Sequence, residues 1–167
     1  MAKKIVYSWS LRSKNVKYTL HPDLQKIVDK GLETSSVDIV LVEGARTIAT
    51  QRAYFKDGLS KINPDSYETE SDLCRVAKHI TITEHPLYEF ARAVDFCAYA
   101  FFKGKNLSYD LIHLTYISTV FEQAAIELYN KGEIKHIVRT GLNWDMDGIL
   151  KYDQSFVDAP HIELIKP

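Results

Sequence analysis

Apolar positions recur at helical spacing in three stretches of the chain. Leu24, Ile27, Val28, Gly31 and Leu32 follow Pro22 and Asp23, a first-turn proline and an acid that suit a helix N-terminus. Thr47 can cap a second helix that runs to about Gly58, a residue suited to the position after a helix end. Leu114, Ile117, Phe121, Ala124, Ala125 and Leu128 mark the longest helix, with Ser108 as its expected cap and Gly132 as its stop. Short β-branched or apolar runs predict strands at 37–42, 93–99, 136–139 and 161–165. Residues 59–75 read as an acidic loop, with turn chemistry at Asn63-Pro64-Asp65-Ser66 and charges at Glu68, Glu70 and Asp72. Strands and helices without a regular βαβ rhythm predict an α+β fold, a small and mainly antiparallel sheet with helices packed on it.

Composition narrows the function classes. A chain of 167 residues is expected to form one domain, 1–167, with a core that needs no staples. A net charge of −1 argues against a nucleic-acid binder. No run approaches about 20 apolar residues, so no membrane span is expected. Cys74 and Cys97 do not make a disulfide framework and fit a reducing compartment. Lys3 and Lys4 open the chain as a signal peptide would, but Ser8, Ser10, Arg12, Ser13 and Lys14 interrupt any apolar region after them. The first twenty residues hold five cations (Lys3, Lys4, Arg12, Lys14 and Lys17) and no acid. They read as a solvated arm, or as a weak attraction to an anionic cell surface.

Phosphate loops, dinucleotide-binding glycine patterns, H-E-x-x-H and nucleophile elbows are all absent from the sequence. What remains is a set of histidines and acids near predicted strand ends. One group is Thr83-Glu84-His85 followed by Asp95; the other is Asp158-Ala159-Pro160-His161. Two imidazoles and a carboxylate with one open position make a catalytic zinc set, and an acid three residues before the second histidine could move a proton. For each residue alone, a packed or surface side chain is the ordinary reading.

In order along the chain, several segments resemble the zinc cell-wall peptidases that include phage L-alanyl-D-glutamate endopeptidases and D-Ala-D-Ala carboxypeptidases and dipeptidases. Thr83-x-His85 with Ala91-x-Ala93-x-Asp95 resembles that family's S-x-H-x-x-G-x-A-x-D motif, and Asp158-x-x-His161 its D/E-x-x-H motif. Glu43-Gly44-Ala45-Arg46-Thr47 with Gln51 is similar to a G-x-R-T…Q segment. Asn143-Trp144-Asp145-Met146-Asp147-Gly148, then Asp153 to Asp158, resembles the tail of the phage branch, and His21-Pro22-Asp23-Leu24 its opening.

The resemblance implies a hedgehog/DD-peptidase-like fold and zinc held by His85, Asp95 and His161. It implies Asp158 as catalytic base and Arg46 as a substrate or oxyanion contact. It further implies a monomeric phage-type endolysin without a separate wall-binding domain, made in the host cytoplasm without a signal peptide and released onto the wall. Its substrate would be the peptidoglycan stem peptide, cut between L-Ala and D-Glu. A D-Ala-D-Ala carboxypeptidase or dipeptidase, and a non-catalytic wall-binding module, are the alternatives.

The first motif departs from the family, which has six residues between histidine and aspartate. Nine residues separate His85 from Asp95 and fifteen separate His79 from it, with Ala91 in place of the glycine. Lys78-His79-Ile80-Thr81 also resembles phage versions of the motif, so His79 competes with His85; the smaller insertion favours His85. Asn143, Asp145 and Asp147 before Gly148 imitate the start of a calcium loop, although Gln154 stands where an EF-hand needs glutamate. His21, His113 and His136 read as structural.

Overall fold

A computed structural model describes residues 5–83, 85–151 and 153–167. Lys3, Lys4 and Glu84 lie outside the described residues. Among the described residues, five helices and six strands follow in the order α1 (Leu11–Lys17), α2 (Pro22–Thr34), β1 (Ile39–Glu43), α3 (Ile48–Lys56), α4 (Glu70–Val76), β2 (Ala93–Ala98), β3 (Phe101–Phe102), β4 (Lys105–Asn106), α5 (Leu111–Asn130), β5 (Ile137–Gly141) and β6 (Asp158–Ile165). A 3₁₀ turn, Pro64–Ser66, precedes α4. The main sheet has the order β1-β2-β6-β5 with every neighbour antiparallel, and β3 and β4 form a separate hairpin. The α+β expectation holds.

Alternation along the strands divides the sheet into two faces. Val94, Phe96, Ala98, Ile162 and Leu164 point to a core shared with α2 and α5. Phe96 meets Phe121 edge-on at 5.3 Å. A Cβ at Gly31 would enter the Phe121 ring, so glycine lets α2 approach α5 closely. The N-terminus of α2 is tied to β5 as well. The His21 ring caps it by accepting from Asp23 N–H, and the Asp23 carboxylate accepts from Lys135 N–H at 2.9 Å and from His136 Nδ1 at 2.7 Å. His21 and His136 thus cap and tie the start of α2, with ligand atoms of His21, Asp23 and His136 within 4.8 Å of one another.

Three elements depart from the expectation. Part of the basic arm is helix α1, capped by the Ser10 hydroxyl and packed beside β1. The acidic stretch contains α4, capped by Thr69 with Glu70 and Asp72 in its first turn, which favours the helix dipole. The cap of α5 is Asp110 rather than Ser108. Leu73, Cys74, Ala77, Ile80 and Tyr88 form a second, smaller core beneath the segment between α4 and β2.

Gly141 sits at a register shift opposite Asp158, where a Cβ would collide with the Asp158 main chain. Gly141→Ala is expected to cost about 1–3 kcal/mol, read as a lower midpoint in urea unfolding with unchanged slope. Unchanged stability would contradict this packing.

Candidate metal centre

The other face of the sheet is polar, and its polarity follows from register. Asp95 on β2 lies opposite Glu43 on β1 and His161 on β6. Two residues along, Glu163 lies between Ala93 and Arg139. In-register antiparallel strands thus lay Glu43, Asp95 and His161 in one row and Glu163 and Arg139 in the next.

His79 joins the row from outside the sheet. Its carbonyl accepts from Arg46 N–H at 2.8 Å, and its ring Nδ1 pairs with the Gly44 carbonyl at 2.7 Å. That bond puts the proton on Nδ1 and leaves Nε2 as a lone-pair donor. Nε2 lies 3.3 Å from Asp95 Oδ1 and 3.2 Å from His161 Nδ1, and His161 Nδ1 lies 2.9 Å from Asp95 Oδ1. Four ligands at about 2.0–2.1 Å from a tetrahedral metal stand about 3.3 Å apart, so these three atoms match one face of such a site. His161 Nε2 points to Glu163 Oε2 at 3.4 Å, and Arg139 holds Glu163 from the other side at 2.5 Å. Each imidazole therefore has a partner on its far nitrogen, the arrangement that orients metal-binding histidines. The residues present fit a divalent metal.

The charges agree. Burial opposes ionisation of Asp95, but the His79 and His161 rings hold its carboxyl far below the ordinary range. Burial alone would lower the His161 imidazole; Asp95 and Glu163 instead push it up to about 9. Burial raises the Asp158 carboxyl, and the Asp95 charge adds to that, against the pull of His161, His79 and Arg46. An anionic floor that recruits protons in this way also suits a cation.

The centre lies in a cleft of about 810 Å³ that Asp158, Arg46, Trp144 and Phe156 also line. Arg46 is fixed rather than free. It pairs with Glu43, donates to Gln51 Oε1 at 2.9 Å, lies 3.8 Å from Asp95 and covers the Tyr54 ring. Gln51, 1% exposed, passes this support on to Ser60 Oγ and the Ile62 carbonyl.

The structure thus joins Asp95, His161, Asp158 and Arg46 as the sequence expects, but with His79 in place of His85. The His85 ring stacks on Tyr88 at 4.6 Å and its Nδ1 accepts from Leu87 N–H, away from the triad. The extra residues close on themselves: Ile82 N–H bonds the Tyr88 carbonyl, and Ile80 and Tyr88 are buried. An insertion folded this way leaves its ends in place, so its length does not disfavour His79. Glu163 and Glu43 have roles that the motif spacing did not single out. A carboxylate two residues beyond His161, on the same strand face, was the available signal.

The calcium expectation gains no support. Asp145, Asp147 and Asp153 bring ligand oxygens within 4.8 Å of one another, all exposed. Asn143 Oδ1 is buried without a partner. Exposed acidic groups like this one are common without an ion.

The model of the family described as phage L-alanyl-D-glutamate peptidase matches residues 5–165. The L-alanyl-D-glutamate peptidase of Escherichia phage T5 is 30% identical over 149 residues, which cover 88% of this chain and 90% of that one. Among solved structures, the Serratia marcescens L-Ala D-Glu endopeptidase ChiX has a TM-score of 0.61 at 22% identity, covering 94% of this chain and 89% of that one.

Substitution separates the two histidines. His79→Ala is expected to lose zinc retained after dialysis, and His85→Ala to keep it, both read by elemental analysis. Metal lost only in His85→Ala would overturn this geometry.

Proposed function

The chain belongs to the phage L-alanyl-D-glutamate peptidase family, and from that premise we propose that it is a zinc endopeptidase cutting the L-Ala–D-Glu bond of peptidoglycan stem peptides. The observation that carries this reading is the meeting of His79 Nε2, Asp95 Oδ1 and His161 Nδ1 within 3.3 Å at the floor of a cleft that Asp158 also lines. His79, Asp95 and His161 would hold the zinc, which when bound polarises a carbonyl and lowers the pKa of water toward about 7.

Asp158 takes the proton of the attacking water and returns it to the leaving amine. Its half-buried carboxyl, raised by burial and by Asp95, is suited to both halves of that task. Arg46 presents a fixed positive charge to the oxygen that becomes anionic. Glu43 and Gln51 hold the guanidinium in advance, so little reorganisation is needed as charge develops. Glu163 and Arg139 hold the His161 ring in place. Trp144 and Phe156, stacked at 6.3 Å, form an apolar wall for the peptide. In this reading the chain acts on the wall after release from the host cytoplasm, as a monomer and as a single catalytic domain. No helix among the described residues is long and apolar enough to cross a membrane.

The test is release of fragments from purified peptidoglycan, identified by mass spectrometry. The wild type should free L-Ala and D-Glu ends, lose activity to a chelator and regain it with zinc. Asp158→Asn should keep its zinc and lose about 10²–10⁴-fold in turnover. Full activity in metal-free protein, or near wild-type turnover in Asp158→Asn, would overturn the mechanism.

A further inference from the structure

Arg46, Lys61, Lys78 and Arg139 bring positive charge to the cleft. Arg46 is answered by Glu43 and Arg139 by Glu163, and Lys61 is exposed to solvent. Lys78, the neighbour of His79 in the chain, differs from all three. It is half-buried, and its ammonium donates to the Arg75 carbonyl at 2.5 Å. No carboxylate among the described residues forms an ion pair with it. Its own carbonyl accepts from Arg92 N–H at 2.8 Å, so the residue is fixed at both ends.

Lys78 stands among the charges of Arg92, Arg139 and Glu163. Glu163 is 4% exposed and is already engaged by Arg139 and His161. Arg92 Nε and Arg139 Nε are buried without acceptors. Three cations thus share one committed carboxylate beside the metal centre. A half-buried positive charge left unanswered costs free energy, and an anionic ligand group would offset that cost.

The substrate class supplies such a group. Of the two carboxyls of a glutamyl residue, one continues the chain and the other stays free, whichever way the peptide is linked. An alanyl residue on the other side of the bond offers only a methyl group. We propose that Lys78 is a specificity residue that receives the free carboxylate of the D-glutamyl residue, so that the cleft selects an ionised glutamyl over its amidated counterpart. This inference rests on the endopeptidase reading above. The selection follows because an amide offers no charge to the ammonium and leaves it unpaired.

The experiment uses two synthetic stem-type peptides containing L-Ala–D-Glu, one with the spare carboxyl free and one with it amidated. Zinc-loaded full-length chains are compared as wild type, Lys78→Met and Lys78→Arg, each with zinc content and melting temperature measured. Wild type should prefer the free acid by about 10–100-fold in kcat/KM. The preference should collapse toward 1 in Lys78→Met, which keeps the apolar stem, and persist in Lys78→Arg, which keeps the charge. Equal rates on both peptides in wild type, or a preference undiminished in Lys78→Met, would overturn the assignment while leaving the endopeptidase reading in place. If wild type cleaves neither peptide nor purified wall, the endopeptidase reading itself fails, and this inference fails with it.

Discussion

Asp95 stands between Glu43 and His161 because β2 pairs in antiparallel register with β1 on one side and β6 on the other. Most of the site depends on that one register. A slip by one residue would turn Asp95 toward Phe121 and α5, and Phe96 toward the cleft. The apolar residues Val94, Phe96, Ile162 and Leu164 forbid the slip, because their burial against α2 and α5 holds only in the observed pairing. The hydrophobic core is therefore also what aligns the polar residues. Gly141 extends the same control to Asp158, since only a residue without a side chain fits where β5 meets the start of β6.

His79 is held differently. Two main-chain contacts tie its segment to the turn after β1: Arg46 N–H to the His79 carbonyl, and the His79 ring to the Gly44 carbonyl. The same short segment therefore positions the His79 imidazole and the arginine beside it. The long stretch from Ile80 to Ala91 is anchored by Ile80 and Tyr88 in a core of its own, and the main-chain bonds between Ala91, Thr19 and His21 return it to the sheet. The altered first motif thus brings His79, Asp95 and His161 together across a folded insertion, which counts against a degraded, non-catalytic site.

Much of this was legible in the residues. The apolar stripe of α5, the proline opening α2 and the strand carrying Asp95 follow from periodicity and from capping chemistry. Asp95, His161, Asp158 and Arg46 followed from motif order. Helices α1 and α4 did not, because each has seven residues with little apolar periodicity and owes its start to a hydroxyl cap, at Ser10 and Thr69. The choice between His79 and His85 was not legible either. Motif spacing counts residues along the chain, whereas the metal centre requires a distance in space, and an insertion that closes on itself breaks the link between the two. The pairing of Glu163 with Arg139 across β6 and β5 needed the strand register, which periodicity alone does not supply.

In the proposed function, two imidazoles and one carboxylate on this face of the sheet bind the metal. X-ray absorption at the zinc edge, on zinc-loaded full-length protein, tests it most directly. The account predicts two imidazole nitrogens at about 2.0–2.1 Å, completed by oxygen and without sulfur. Sulfur scattering at about 2.3 Å, which would bring in the buried Cys74 or Cys97, or a shell with a single imidazole, would contradict it.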